Sequence, residues 1–163
     1  GVPAATARLL VQRQKLTLDK PTMYVVGPRS VISDAVLAKL RAFGPVRRIP
    51  GNDAAEAAVA LARYKDKATG FGWGLRKGPA SVSLVNPADW GNAVAAFAYA
   101  GAGPHAPVLL TTAKGTLPRA AARYLAQVRA DAPGQGFVFG DPDSVPSQTL
   151  ARLDALLDPA TTR

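Results

Sequence analysis

At 163 residues, with 48% of them hydrophobic, the chain is long enough to bury the core of one α/β domain and too apolar to be disordered. Cysteine is absent, which excludes disulfides, thiolate metal sites and cysteine nucleophiles, and a single histidine, His105, excludes multi-histidine metal centres. Lys and Arg number 20 against 11 Asp and Glu, a net charge of +9, so the chain should attract polyanions: nucleic acid, anionic lipid or phosphorylated wall polymer.

Taken in chain order, residues 3–14 have helical spacing, with Pro3 near the first turn where a missing N–H is harmless. Thr22–Val26 is a short β-rich run that ends at Gly27. Val31–Phe43 is an amphipathic helix that starts near Ser30 or Ser33 and stops at Gly44-Pro45. Val46–Ile49 is a short strand, and Asn52 or Asp53 caps a helix to about Tyr64, with Glu56 completing a capping-box pattern. Residues 66–79 are Gly-rich and read as a loop, Ser81–Val85 as a strand, and Asp89–Ala100 as an Ala-rich helix. Pro107–Thr111 is an apolar strand buried on both faces. Leu117–Ala130, Phe137–Phe139 and Ser147–Leu157 complete a helix, strand, helix order. Strands alternating with helices give an α/β fold in three layers, a mainly parallel sheet with helices on both faces.

The two ends of the chain resemble each other. Pro3, Ala5, Ala7, Arg8, Leu10 and Gln12 meet Pro118, Ala120, Ala122, Arg123, Leu125 and Gln127 at an offset of 115. Tyr24-Val25-Val26-Gly27 meets Phe137-Val138-Phe139-Gly140, and Leu37-Ala38-Lys39-Leu40 meets Leu150-Ala151-Arg152-Leu153, both at 113. The central stretch occurs once. Residues 1–44 therefore read as the second half of a preceding repeat, 45–158 as one complete repeat, and 159–163 as a tail. The half-repeat is expected to dock in one continuous fold with the rest or to exchange between protomers, because Leu9, Leu10 and Leu16 would otherwise be bare.

Open parallel sheets bind ligands beyond the carboxyl ends of their strands. Gly27-Pro28-Arg29-Ser30 lies at such an end, where a helix start and the Arg29 charge would favour an anion. The competing reading is a tight turn with a serine cap. Arg48, Thr111, Thr112 and Lys114 also fall near strand ends, and Arg29, Ser30, Arg48, Thr111, Thr112 and Lys114 form the candidate polymer-binding set. For Arg48 the alternative is a structural role, bonding loop carbonyls. Trp73 and Trp90 are candidate aromatic contacts for sugar rings or protein partners, against packing within the protein. Gly70-Phe71-Gly72-Trp73-Gly74 is a weak dinucleotide signal, because no β-rich run leads into it. His105 sits between Pro104 and Pro107 in a surface loop, and no serine has an elbow motif around it. Asp53 with Glu56, and Asp141 with Asp143, are explained by capping and turns. No catalytic set, metal constellation or cofactor loop is expected, and no run is long enough to span a membrane. Nucleic acid is supported by charge alone and opposed by the lack of any recognition motif.

The order Val25-Val26-Gly27, then Arg47-Arg48-Ile49-Pro50-Gly51-Asn52-Asp53, Asn86-Pro87-Ala88-Asp89-Trp90, Ala106-Pro107-Val108-Leu109-Leu110-Thr111, and Phe137-Val138-Phe139-Gly140 through Val145 resembles cell wall-binding repeat 2, in an actinobacterial type. On that resemblance Arg48, Gly51 and Asp53 match one motif, Pro107, Val108, Leu109, Leu110 and Thr111 a second, and Gly140 and Val145 a third. Ala54, Ala55 and Asn92 depart from it. The resemblance implies a flavodoxin- or Toprim-like module from a tandem array, non-catalytic and exported. It would anchor a protein to anionic cell-wall polysaccharide and pack with sibling repeats or as a homo-oligomer. The alternatives are a structural repeat without polymer contact and a small-ligand-binding flavodoxin-like domain. The first residues, Gly1-Val2-Pro3, resemble no leader, so an export signal is expected upstream of them.

Overall fold

The computed structural model describes residues 1–17, 20–76, 81–102, 106–128 and 134–158. The element order is α1 (Ala4–Thr17), β1 (Met23–Val26), α2 (Asp34–Leu40), β2 (Val46–Ile49), α3 (Ala54–Arg63), β3 (Ser81–Val85), α4 (Trp90–Ala102), β4 (Val108–Leu110), α5 (Arg119–Val128), β5 (Gln135–Phe139) and α6 (Ser147–Leu157). Every pairing among the described strands is parallel. The chain therefore has a mixed α/β fold built on parallel sheets. His105 and residues 77–79 of the glycine-rich loop, like the tail from 159, lie outside the described residues.

Local chemistry sets the element ends. Asp53 Oδ1 accepts from the Glu56 amide at 2.8 Å, and Glu56 Oε2 accepts from the Asn52 amide at 2.9 Å, a reciprocal capping box that starts α3. Just ahead of it, a Cβ on Gly51 would lie 2.3 Å from the Ala57 nitrogen, so only glycine lets the chain turn this tightly. α2 is shorter than the helix expected over 31–43. The amides of Val31 and Ile32 first fold back onto the Pro28 carbonyl at 3.2 and 3.0 Å, and the helix begins only after Ser33.

The main core lies on one face of the β4-β3-β5 sheet. Val82, Leu84 and Leu109 meet Val59 and Ala62 of α3, Tyr124, Leu125 and Val128 of α5, and Leu153 and Leu157 of α6. Val138 packs on the same cluster. Its neighbours in β5, Phe137 and Phe139, must point the other way, and both meet Tyr99 of α4, with ring centroids 5.0 and 5.6 Å apart. Helices thus cover both faces of this sheet. Burial pushes the Tyr124 hydroxyl up to about 12, opposed by the Arg63 guanidinium 5.2 Å over its ring.

The strands form two sheets rather than the single one that the alternation suggests: β1-β2, and β4-β3-β5. β1 and β4 face each other across a groove without hydrogen bonding, and α3 floors the space between them. α1 stands apart. Leu10 is half-buried beside Phe43, and Gln14 Nε2 donates to the Phe43 carbonyl at 2.7 Å, but Leu9 and Leu16 are 64% and 85% exposed. The expected docking of the front half thus runs through the β1-β2 ladder and leaves one face of α1 open.

Leu109 is fully buried where α3, α5 and the sheet meet. Leu109→Ala should lower unfolding free energy by about 3 kcal/mol in urea titration, as cavity formation in a close-packed core does. A midpoint indistinguishable from the parent's would contradict the packing described.

Candidate functional site

The carboxyl ends of the strands carry three distinct constructions. In the first, the loop after β1 is stitched by Arg48 of β2. Its Nη1 donates to the Gly27 carbonyl at 3.0 Å, and its Nη2 to the Ile32 carbonyl at 2.5 Å and to Asp34 Oδ1 at 3.3 Å. The side chain is 13% exposed. Arg29 pairs with the same Asp34 at 3.3 Å, but in the open, and Ser30 is exposed beside it. Within the candidate set, Arg48 is therefore a structural clamp while Arg29 and Ser30 remain accessible.

The second construction joins the loops after β3, β4 and β5. Asn86, 4% exposed, donates through Nδ2 to the carbonyls of Ala113 at 3.3 Å and Ser144 at 2.8 Å, and accepts from the Ala88 amide at 2.9 Å. Thr111 is buried, and its hydroxyl donates to the Thr112 carbonyl at 2.8 Å. Thr112 and Thr116 close the turn through their hydroxyls at 2.8 Å, with Lys114 exposed at its tip. Asp141 Oδ1 accepts from the Ser144 amide at 2.8 Å, a turn as expected. Sequence reasoning did not single out Asn86. The signal available was its place directly after an apolar strand and before Pro87, where an Asx turn forms.

The third is the groove between β1 and β4, about 450 Å³, floored by Ala54, Ala57 and Leu61 of α3 and walled by Val26, Val31 and Phe97. It continues past Phe97 into a second depression lined by Lys65, Phe71 and Trp73. The Gly27-Pro28 backbone and Leu110 reach this groove, but Arg29, Thr111, Thr112 and Lys114 do not line it. Its chemistry is apolar. The two tryptophans part company: Trp73 is half-buried in the depression, and Trp90 is 78% exposed at the start of α4, in line with exposed Val94 and Phe97.

At the opposite end of β1-β2, an open cleft of about 470 Å³ is lined by Lys20, Arg41 and Arg47 around Gly44, Pro45 and Val46. Among the described residues, the ion pair at this cleft is Arg47 with Asp66 at 3.9 Å. Lys20 meets Arg41 and Arg47 there across some twenty residues of sequence, which no spacing pattern could reveal. Nearby, Asp66 is 9% exposed and receives the Tyr24 hydroxyl at 2.8 Å and the Ala68 amide at 2.9 Å. Those two bonds hold its carboxyl below the usual range, and Arg47 adds to the effect. Burial pushes the Tyr24 hydroxyl up, as does the bond to Asp66. Phe71 stacks on the Tyr24 ring with centroids 3.9 Å apart.

Among the described residues no cluster of three or more His, Cys, Asp or Glu is placed to hold a metal ion, and no helix is long and apolar enough to cross a membrane. The matched motif residues have structural places: Pro107 accepts from the Ser83 amide at 2.9 Å, Val145 is 1% exposed, and Gly140 takes a positive φ of 147°. No protein-family model matches the chain, and no curated protein matches it.

Removing Arg48 leaves two loop carbonyls without their donor. Arg48→Ala should cost about 2 kcal/mol of unfolding free energy, while Arg29→Ala, whose pair is exposed, should cost less than about 0.5 kcal/mol. Equal effects would refute the division between clamp and surface charge. Asp66 supplies the pH dependence. A carboxylate with a depressed folded pKa adds stability above its unfolded value, and that stability is lost as pH falls through the folded one. Asp66→Asn should therefore lower the melting temperature at neutral pH and converge with the parent in strong acid. A gap that stays constant through the acid range would exclude a charged Asp66 as the cause.

Proposed function

We propose that the chain is a non-catalytic binding module of the cell wall-binding repeat 2 type, cut from a tandem array of flavodoxin- or Toprim-like units, and that it holds an exported protein on anionic wall polymer. The observation that carries this reading is the ordered motif series from Val25 to Val145 in a chain of net charge +9. The repeat is supported by the shared order of α1–β1–α2 and α5–β5–α6, each strand ending in a glycine of positive φ, Gly27 at 122° and Gly140 at 147°.

Polymer contact is assigned to the cleft of Lys20, Arg41 and Arg47, with Arg29 and Lys114 as outlying charges. Arginine forks suit phosphate and carboxylate groups, and a cluster of cations facing water attracts a flexible polyanion without a shaped pocket. Trp90 offers a face to a sugar ring. The second reading, a spacer without polymer contact, is favoured by one observation: Arg48, Thr111 and Thr112 of the candidate set are engaged internally.

Co-sedimentation with purified, nucleic-acid-free walls separates the two. The parent should bind, and binding should weaken with salt, because exposed charge contacts are screened beyond about 8–10 Å at physiological ionic strength. Lys20→Ala with Arg41→Ala should reduce binding about tenfold at low salt and leave the melting temperature nearly unchanged. A parent that stays in the supernatant at every salt concentration would favour the spacer. A double variant that binds like the parent would move the contact away from the cleft.

A further inference from the structure

α4 is apolar on every side. From Trp90 to Ala113 the sequence carries no Asp, Glu, Lys or Arg. A helix that is apolar all round belongs in an interior, yet only one side of α4 is covered. Ala96 and Ala100 are 0% and 3% exposed, and Tyr99 packs on Phe137 and Phe139 of the sheet. The other side is bare, with Trp90 78%, Val94 60% and Phe97 58% exposed. At the helical repeat these three form one ridge of large side chains. Gly91, Ala95, Ala98 and Ala102, all exposed, form the next row, a groove of small ones. The direction pointing straight away from Ala96 and Ala100 falls between ridge and groove.

From this we infer that the outer face of α4 is the contact between two copies of the chain, paired about a two-fold axis with their α4 helices antiparallel. The occupant follows from the shape of the face. A large ridge beside a small-residue groove is complementary to itself, so each copy's ridge enters the other's groove. Trp90, at the start of one helix, comes to the end of the partner helix. There Gly101 borders the depression of Phe71 and Trp73, which receives the indole.

Area and charge point to the same occupant. Val31, 77% exposed, shares the groove wall with Phe97 and extends the patch beyond α4. Together these side chains expose roughly 500 Å² of apolar surface, more than scattered surface residues account for. Two such patches bury about 1,000 Å², the least that a specific interface takes. Copies of charge +9 repel one another, and this face brings them together through a stretch that carries no charge. A bilayer surface is a poorer match, because α4 has no Lys or Arg to meet anionic lipid. In the pair Trp90 is covered, so a sugar ring meets it only in the single molecule. The cleft of Lys20, Arg41 and Arg47 is lined by other elements and stays open.

The test is sedimentation equilibrium of the full chain over a concentration series. The parent should form dimers with a dissociation constant on the order of 10–100 µM, as an interface of the smallest specific size does. Salt should strengthen the pair, because screening relieves the repulsion between two basic chains. Val94→Lys places a charge in the contact and should weaken dimerisation at least about a hundredfold, since a buried unpaired charge is costly. Val94 is exposed in the single molecule, so this variant should melt like the parent at low concentration. Ala98→Leu fills the groove and should weaken the pair about tenfold through overpacking, although it adds apolar surface. A parent that stays monomeric up to about ten times that concentration range overturns the proposal, and so does a monomer that sediments with phosphatidylglycerol vesicles. Dimers that survive Val94→Lys place the contact elsewhere on the molecule and overturn it too. Dimers strengthened by Ala98→Leu mean unspecific adhesion and refute the fit of ridge into groove. None of these outcomes touches the wall-binding reading, which rests on the cationic cleft.

Discussion

One nearly buried carboxylate, Asp66, holds the two sheets of this protein to one another. It follows α3, whose inner face belongs to the core of β4-β3-β5, and it receives the hydroxyl of Tyr24 from β1 and pairs with Arg47 from β2. A charge so far out of water is tolerable only with several donors around it. Tyr24 and the Ala68 amide are those donors, and the Arg47 guanidinium stands 3.9 Å away as a countercharge. The Phe71 stack on Tyr24 closes the arrangement from above. With it in place the β1-β2 pair has a fixed position beside α3, and the groove, the cationic cleft and the open face of α1 all take their positions from there.

That tether explains why the surface divides by chemistry. The carboxyl ends of the strands hold loops tied internally by Arg48 on one sheet and Asn86 on the other. The opposite end of β1-β2 collects Lys20, Arg41 and Arg47 with little acid to answer them. In a sheet closed by a further strand the apolar walls of the groove would be interior. Here Val26, Val31 and Phe97 line it from the outside.

Much of this was legible in the residues, for physical reasons that differ from element to element. β2 and β3 fall where β-rich runs are bounded by proline, glycine or serine, and α3 begins at its capping box because the cap is a local bond between near neighbours. α2 was shortened by Pro28, whose carbonyl captures two amides ahead of the helix. The division into two sheets was not legible, because strand order depends on contacts between residues far apart in sequence. The same holds for the site. For Arg48 its place at a strand end left a ligand contact and a bond to loop carbonyls both open, and the choice is made by carbonyls of the β1–α2 loop, 16 and 21 residues away, which draw its charge inward. The convergence of Lys20, Arg41 and Arg47, and the hub at Asn86, arise only once the strands are laid side by side.

The helices α1 and α5 are covered very unequally, and amide hydrogen exchange measures that cover directly. In the isolated chain, the amides of α1 should exchange orders of magnitude faster than those of α5. α1 lacks the packing that α5 receives from α3 and from the sheet. Protection of α1 equal to that of α5 would contradict the open face and show that the front helix is already buried in the free protein.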